Sequence, residues 1–283
     1  MTLKTIQTLV KFVLAACFLS VFSCKGSGEG TLHVMSYNIR DAESNDGDNN
    51  WPFREAASAE MLEDLRPDVF GVQEAVPVQI DYLTAHPGFY ENVGVGREDG
   101  VHEGEHMSVF YNKNTMKLLK WGTFWLSETP DVPSIGWDAK RKRTATWALL
   151  KDRRNGEKFY FVNTHLDHVG WEARRKGLAL IVDRIDSINP EGWPMVLTGD
   201  FNMTPERPEF DELNKRMTSV RTIAEKTDTL HTFNGWGRME SCAVDFIYVK
   251  GFSEYPLYET VTKQYAGREY ISDHYPVRAV LKY

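Results

Sequence analysis

The chain has 283 residues, 42% hydrophobic and 12% aromatic, enough to build one large domain around its own core. Its formal charge of -7 argues against a protein that rides on long duplex DNA, because neutralising a run of phosphates takes a basic footprint. With only three cysteines, two of them within the first 24 residues, a disulfide framework is excluded.

In chain order, Lys4 and Lys11 flank the start, and an almost wholly apolar run from Phe12 to Phe22 ends at Ser23-Cys24. That succession reads as an export signal, and the run is too short for a membrane span. Its ending resembles a bacterial lipoprotein signal. The resemblance implies cleavage before Cys24 (residues 1–24 as signal), a lipid on Cys24, a flexible tether over residues 25–30 and a single catalytic domain over residues 31–283. The protein is then expected in a bacterial cell envelope, on a membrane surface through its lipid, or secreted. A plain secretory signal is the alternative.

Beyond the tether there is no internal repeat or linker. Apolar, strand-like runs over residues 32–37, 69–72, 159–162 and 195–197 each lead into polar residues: Asn38, Gln73-Glu74, Asn163-Thr164-His165 and Gly199-Asp200. Four strands are therefore expected to finish at one place. Helical spacing predicts helices over residues 53–66, stopped by Pro67, and 171–188, stopped by Asn189-Pro190. Further strands are expected over residues 107–111, 144–150, 243–249 and 277–281. Many strands with few, well-separated helices predict an α/β (α+β) fold of two packed sheets covered by helices.

Taken singly, the polar strand ends have ordinary explanations. Asn38 suits a turn, Glu74 a solvated strand end, His165 a hydrogen-bonded core histidine and Asp245 a turn cap. Together they point elsewhere, because Asp200 follows Val196-Leu197-Thr198-Gly199 and Asp245 sits between Val244 and Phe246. A carboxylate in apolar surroundings is costly unless it is paired or holds a metal. Oxygen donors without a cysteine or histidine cluster of zinc spacing favour Mg²⁺ or Mn²⁺.

Asn38, Gln73-Glu74, Asn163-Thr164-His165, Gly199-Asp200-Phe201-Asn202, Asp245 and Ser272-Asp273-His274 occur in that order. This series resembles the motif set of the endonuclease/exonuclease/phosphatase superfamily, the deoxyribonuclease-I-like fold, from about residue 31 onward. The resemblance implies a four-layer α/β/β/α sandwich of two mixed sheets. It also implies roles. Glu74, helped by Asn38 and Asp273, holds the metal; Asp200 orients and deprotonates the attacking water; Asn202 and His165 grip phosphoryl oxygens; His274, oriented by Asp245, stabilises the transition state. A second likeness, over Leu126-Ser127-Glu128-Thr129-Pro130, Gly136-Trp137-Asp138 and Arg143-Thr144-Ala145-Thr146-Trp147, is to a branch containing deadenylase domains and secreted bacterial members. It points Arg143 at the substrate phosphate, against the alternative that Lys140-Arg141-Lys142-Arg143 is a solvated turn.

The expected activity is a Mg²⁺- or Mn²⁺-dependent phosphoesterase, hydrolysing a diester or a monoester by in-line attack of water. Phosphorylated small molecules, phospholipid head groups and short nucleic acids are the candidate substrates, and a monomer is expected. The alternatives are a nuclease on short or single-stranded material and a non-catalytic ligand-binding lipoprotein. Selectivity is assigned to loops 41–51, 95–105 and 229–240. Trp137 and Trp171 are placed at the mouth, and strand alternation puts Asp167, but not His168, on the His165 face.

Overall fold

The computed structural model describes residues 30–283, so the signal and most of the tether expected from the sequence lie outside the described residues. The first half contributes strands β1 (Thr31–Asn38), β2 (Val69–Gln73), β3 (Tyr90–Val93), β4 (Val109–Asn112), β5 (Met116–Trp125) and β6 (Thr144–Asp152), with helices α1 (Glu55–Leu65) and α2 (Pro77–Ala85). After them come β7 (Lys158–His165), α3 (Trp171–Ile188), β8 (Met195–Asp200), the short α4 (Asp211–Asn214), β9 (Thr218–Ser219), α5 (Val220–Ile223), β10 (Asp245–Lys250), β11 (Glu254–Thr260) and β12 (Val277–Lys282).

Two six-stranded mixed sheets result, ordered β11-β12-β1-β2-β4-β3 and β5-β6-β7-β8-β10-β9. Between them lies one core, built from Val34, Val69, Phe161, Val196, Ile247 and Ala279 among others. The outer face of the first sheet is sealed by Ala57, Met61 and Leu62 of α1 and Leu83 of α2, packed on Met35, Tyr37, Phe70 and Val72. On the second sheet the stripe Leu178, Ile181, Val182 and Ile185 of α3 covers Tyr160, Val162 and Leu197. Strands covered on both faces read as unbroken apolar runs, and all five residues of β2 are buried. Each buried side chain of this size contributes about 1.5–3 kcal/mol relative to leaving it exposed. The four layers expected from the sequence are present.

Each sheet has one parallel pair, β1/β2 and β7/β8, and a parallel pair needs a long crossover, supplied here by α1 and α3. Parallel neighbours end at the same edge. Asn38 stands beside Gln73 in one sheet and His165 beside Asp200 in the other, while antiparallel β10 begins with Asp245 opposite Asp200. The sheets are tied just beneath this edge by Asn163. Its Nδ2 donates to Val72 O (2.7 Å), and its Oδ1 accepts from Gln73 Nε2 (2.6 Å) and Thr198 Oγ1 (3.2 Å). Gly71 is required for that tie, since a Cβ there would lie 2.3 Å from Asn163 Oδ1.

Some boundaries differ from expectation. Helix α1 begins at Glu55, two residues later than the expected start at 53, because residues 51–53 form a separate 3-10 turn. Strand β10 begins at Asp245 and not at 243: the N–H groups of Val244 and Asp245 both donate to Thr232 Oγ1, which takes them out of the ladder. The periodicity missed β3, β5, β9, β11, α2 and the short α4 and α5. Strands β3, β5 and β11 lie at sheet edges, where one side needs no apolar neighbour.

Candidate active site

At the common edge the carboxylates and imidazoles converge. Asn38 Nδ2 bridges two acids, donating to Glu74 Oε1 (3.1 Å) and Asp200 Oδ2 (3.0 Å). Asp200 also accepts from the N–H of Asn202 at 2.8 Å. His274 Nδ1 donates to Asp245 Oδ2 at 2.8 Å, which leaves its Nε2 3.7 Å from Asp200. Asn202 Nδ2 donates to His165 Nε2 (2.9 Å), and the same ring nitrogen is 3.5 Å from Asp200. Arg40, Glu74 and Asn202 all have left-handed backbones, with φ of 58°, 63° and 51°. Such conformations cost free energy for residues with a side chain and persist where the surrounding structure over-determines them.

The ionisation states follow from these contacts. Burial alone would drive the His274 imidazole towards neutrality, but Asp245 and Asp200 outweigh it and push its pKa up to about 10. Burial, with Arg143 and Arg97 nearby, holds His165 well below the ordinary value and so neutral. Burial and then Asp245 push the Asp200 carboxyl up to about 7. Burial raises Asp273 too, whereas at Glu74 the burial effect is overcome by His274, Asn38 and Arg40.

The donor set fits a hard divalent cation. Glu74, Asp200 and Asp273 line one cavity, with Asp245 beside His274 at its edge, and like charges gathered this closely disfavour one another's ionisation unless a cation offsets them. One candidate donor group is Glu74, His165 and Asp200, whose donor atoms lie within 4.8 Å of one another; a second, with the same spacing, is Asp200, Asp245 and His274. In the second the imidazole is already bonded to Asp245, so Glu74, with Asp273 facing the same cavity, is the better oxygen pair. Asn38, expected among the ligands, turns its amide nitrogen and not its oxygen to the acids. Its Oδ1 accepts from the N–H of Arg40 at 3.1 Å.

The cavity, of about 640 Å³, continues from these acids to a cationic wall. Arg143 is buried there. Its Nε approaches Asp167 Oδ2 (3.4 Å), its Nη2 donates to His168 Nδ1 (3.0 Å), and its buried Nη1 has no hydrogen-bond partner among the described residues. Arg97, paired with Glu105, lies beside it on the wall. Of the basic run, Arg141 also lines the cavity, whereas Lys142 is taken by Glu98. The structure thus brings Asn38, Glu74, Arg143, His165, Asp200, Asn202, Asp245, Asp273 and His274 to one place.

Three expectations need correction. His168 lines the cavity and Asp167 does not, because β7 ends at His165 and alternation stops with it. The Asp167 carboxylate instead turns inward to accept from the N–H groups of Gly170 (2.7 Å), Val169 (2.9 Å) and Lys140 (3.1 Å). Trp137 and Trp171 are not on the cavity wall. Trp137 packs against Lys176 in a segment whose Asp138 caps α3 through the N–H groups of Glu172 and Ala173, and Trp171 lines a separate hollow with Pro208. The tryptophan on the wall is Trp236. Arg40, Arg97 and Glu105 escaped the motif reading. Arg40 had a usable signal, two residues beyond Asn38 on the same strand exit, and Arg97 and Glu105 lie in a loop already set apart by its composition.

Comparison with known proteins agrees with this geometry. Residues 35–274 match the sequence profile of the endonuclease/exonuclease/phosphatase family. A crystal structure of a member of that family from Bacteroides vulgatus is similar, with 35% identity, a TM-score of 0.84 and coverage of 89% of this chain and 98% of the other. The mannosyl-6-phosphatase of Bacteroides thetaiotaomicron is similar with 32% identity and a TM-score of 0.84, over 89% of this chain and all of the other. An uncharacterised protein of Acanthamoeba polyphaga mimivirus is 26% identical over 245 residues, 80% of this chain and 90% of its own.

Proposed function

The chain belongs to the endonuclease/exonuclease/phosphatase family and is an enzyme of phosphoester hydrolysis, and from that premise we propose that it removes a terminal phosphate from a sugar with the help of Mg²⁺ or Mn²⁺. The observation that carries this reading is the pairing, within one cavity, of the Asp200–His274 centre with the unpartnered Nη1 of Arg143. A guanidinium with a free N–H in a buried site is suited to a phosphate dianion, and Arg141 on the same cavity wall adds charge that a diester, with one negative charge, uses less fully. The likeness to a mannosyl-6-phosphatase supports a sugar as the alcohol.

Each residue then has work to do. Asp200, fixed by Asn38 Nδ2 and the Asn202 N–H, accepts the proton of the attacking water; its raised pKa keeps it basic enough for the task. His274, held as an imidazolium by Asp245, offers its Nε2–H to the charge that grows on the phosphoryl oxygens. Asn202 sets the His165 tautomer, since its donation to Nε2 requires the ring proton on Nδ1. Glu74 and Asp273 would hold the cation, with Asn38 positioning the acids. When bound, the cation supplies Lewis-acid stabilisation of the phosphoryl charge.

We propose export as well, with lipid attachment at Cys24; this rests on the sequence of the first 24 residues. Mass spectrometry of the mature chain from an expressing bacterium tests it. For the activity, phosphate release is compared for mannose 6-phosphate, bis(4-nitrophenyl) phosphate and single-stranded oligonucleotides with Mg²⁺ or Mn²⁺. The monoester is the expected substrate. Preference for either diester would replace this reading by a diesterase or a nuclease.

A further inference from the structure

A second groove of about 720 Å³ adjoins the catalytic cavity, and Thr204 and Cys242 belong to the walls of both. Its walls come from three stretches: Thr204, Pro205 and Glu206 after the Asn202 turn; Thr218, Ser219 and Thr222 around β9 and α5; and the loop from Thr227 to His231. The floor is apolar, made by Met217, Ala243, Phe246 and Tyr248. None of these residues is used by the chemistry described above.

Hydroxyl groups dominate the polar walls. Thr222 and Thr227 spend theirs on the carbonyls of Ser219 and Arg221, both at 2.8 Å. Those of Thr204, Thr218, Ser219 and Thr229 enter no hydrogen bond among the described residues and are left for solvent or a ligand.

Charge distinguishes the possible occupants. Arg221 is the sole arginine or lysine of the groove among the described residues; its Nε and Nη2 hold the loop, donating to Asp228 O (3.2 Å) and Leu230 O (2.8 Å), while its Nη1 is buried without a hydrogen-bond partner and the guanidinium lies over the Tyr258 ring. The Asp228 carboxylate is filled by the N–H of Leu230 (3.0 Å) and the N–H and Oγ1 of Thr260 (2.6 and 2.9 Å). Glu206 remains as an exposed acid. A second phosphate placed here would meet the exposed Glu206 and a single guanidinium whose one unpartnered nitrogen is buried. A neutral chain of hydroxyl groups with apolar C–H faces matches both the walls and the floor.

We propose that this groove binds neutral sugar units attached to the phosphorylated one, so that the substrate is a phosphorylated oligosaccharide. The assignment rests on the sugar-phosphatase reading given above.

Two measurements test it. In the first, kcat/KM is compared for mannose 6-phosphate and for a mannotriose carrying the 6-phosphate on its non-reducing unit. The longer substrate is expected to exceed the shorter by about tenfold, or 1.4 kcal/mol of transition-state binding. Thr229→Trp, which fills the groove away from the chemistry, is expected to remove that advantage and leave mannose 6-phosphate unchanged. Equal kcat/KM for the two substrates in the wild type overturns the proposal. In the second, binding of unphosphorylated mannotriose is followed by titration calorimetry. Binding that Thr229→Trp abolishes supports the groove even if no phosphoester is cleaved, in which case the sugar-phosphatase reading fails alone. Absence of binding together with absence of cleavage overturns both.

Discussion

His274 Nδ1 stands 2.8 Å from Asp245 Oδ2, and the acid is the first residue of a strand whose register sets it opposite Asp200. One register thus fixes the base, the imidazolium and the group that orients it. Asp245→Asn keeps the shape of the pair but removes the charge that holds His274 protonated. Turnover is expected to fall about 10²-fold, as when one preorganised electrostatic contact is lost. Steady-state kinetics beside a melting curve checks this. Unchanged kcat in a folded variant would remove His274 from its role.

Arg143→Lys keeps the charge but loses the fork. A single ammonium nitrogen cannot place donors as far apart as Nη2 on His168 and Nη1 toward phosphate, so kcat/KM on a terminal phosphate is expected to drop about tenfold or more, mostly through KM. A change confined to kcat would place Arg143 at the transition state and not at the ground-state phosphate.

Asp167 gives a pH signature separate from the chemistry. Burial opposes its charge, but the N–H groups of Gly170 and Val169, with Arg143, outweigh burial and hold its pKa at about 2, below 3.8. Because the folded pKa is the lower one, the stabilisation is complete above about pH 4 and is lost as pH falls through about 2. The stability difference between wild type and Asp167→Asn, measured by urea unfolding, is expected to shrink across that window. A difference that stays constant would contradict the assignment.

Much of the site could be read from the sequence because of how it is built. Asn38, Glu74, His165, Asp200 and Asp245 sit at the ends of doubly covered strands, where an apolar run turning abruptly polar is visible in one dimension. Residues placed by loops were not visible. His168 reaches the cavity because Asp167 is capped by four backbone N–H groups, and Trp236 because its backbone sits at φ 59° above the buried Arg54. Those paths are decided by tertiary contacts, which leave no periodic signal.

Arg54 shows how that loop scaffold is held. Fully buried, it donates to the carbonyls of Asn49 (2.6 Å), Ile39 and Ile271 (both 2.8 Å) and Arg40 (3.2 Å), and it lies between the rings of Trp51 and Trp236. Arg54→Met would leave those carbonyls in a dry site at a cost of about 3 kcal/mol or more. Chemical denaturation is expected to show that loss together with reduced turnover, since the loops bearing Arg40 and Asp273 share this anchor. Stability within about 0.5 kcal/mol of wild type, as for an ordinary surface change, would contradict it.

The central claim is that phosphate is removed at the Asp200–His274 centre with a divalent cation. Phosphate release from mannose 6-phosphate by the purified chain, with Mg²⁺ or Mn²⁺, with EDTA, and for Asp200→Ala, tests it most directly. Activity that EDTA abolishes and that falls by about 10² or more in the folded variant is the predicted result. Hydrolysis that persists in Asp200→Ala, or that is indifferent to EDTA, would contradict the account.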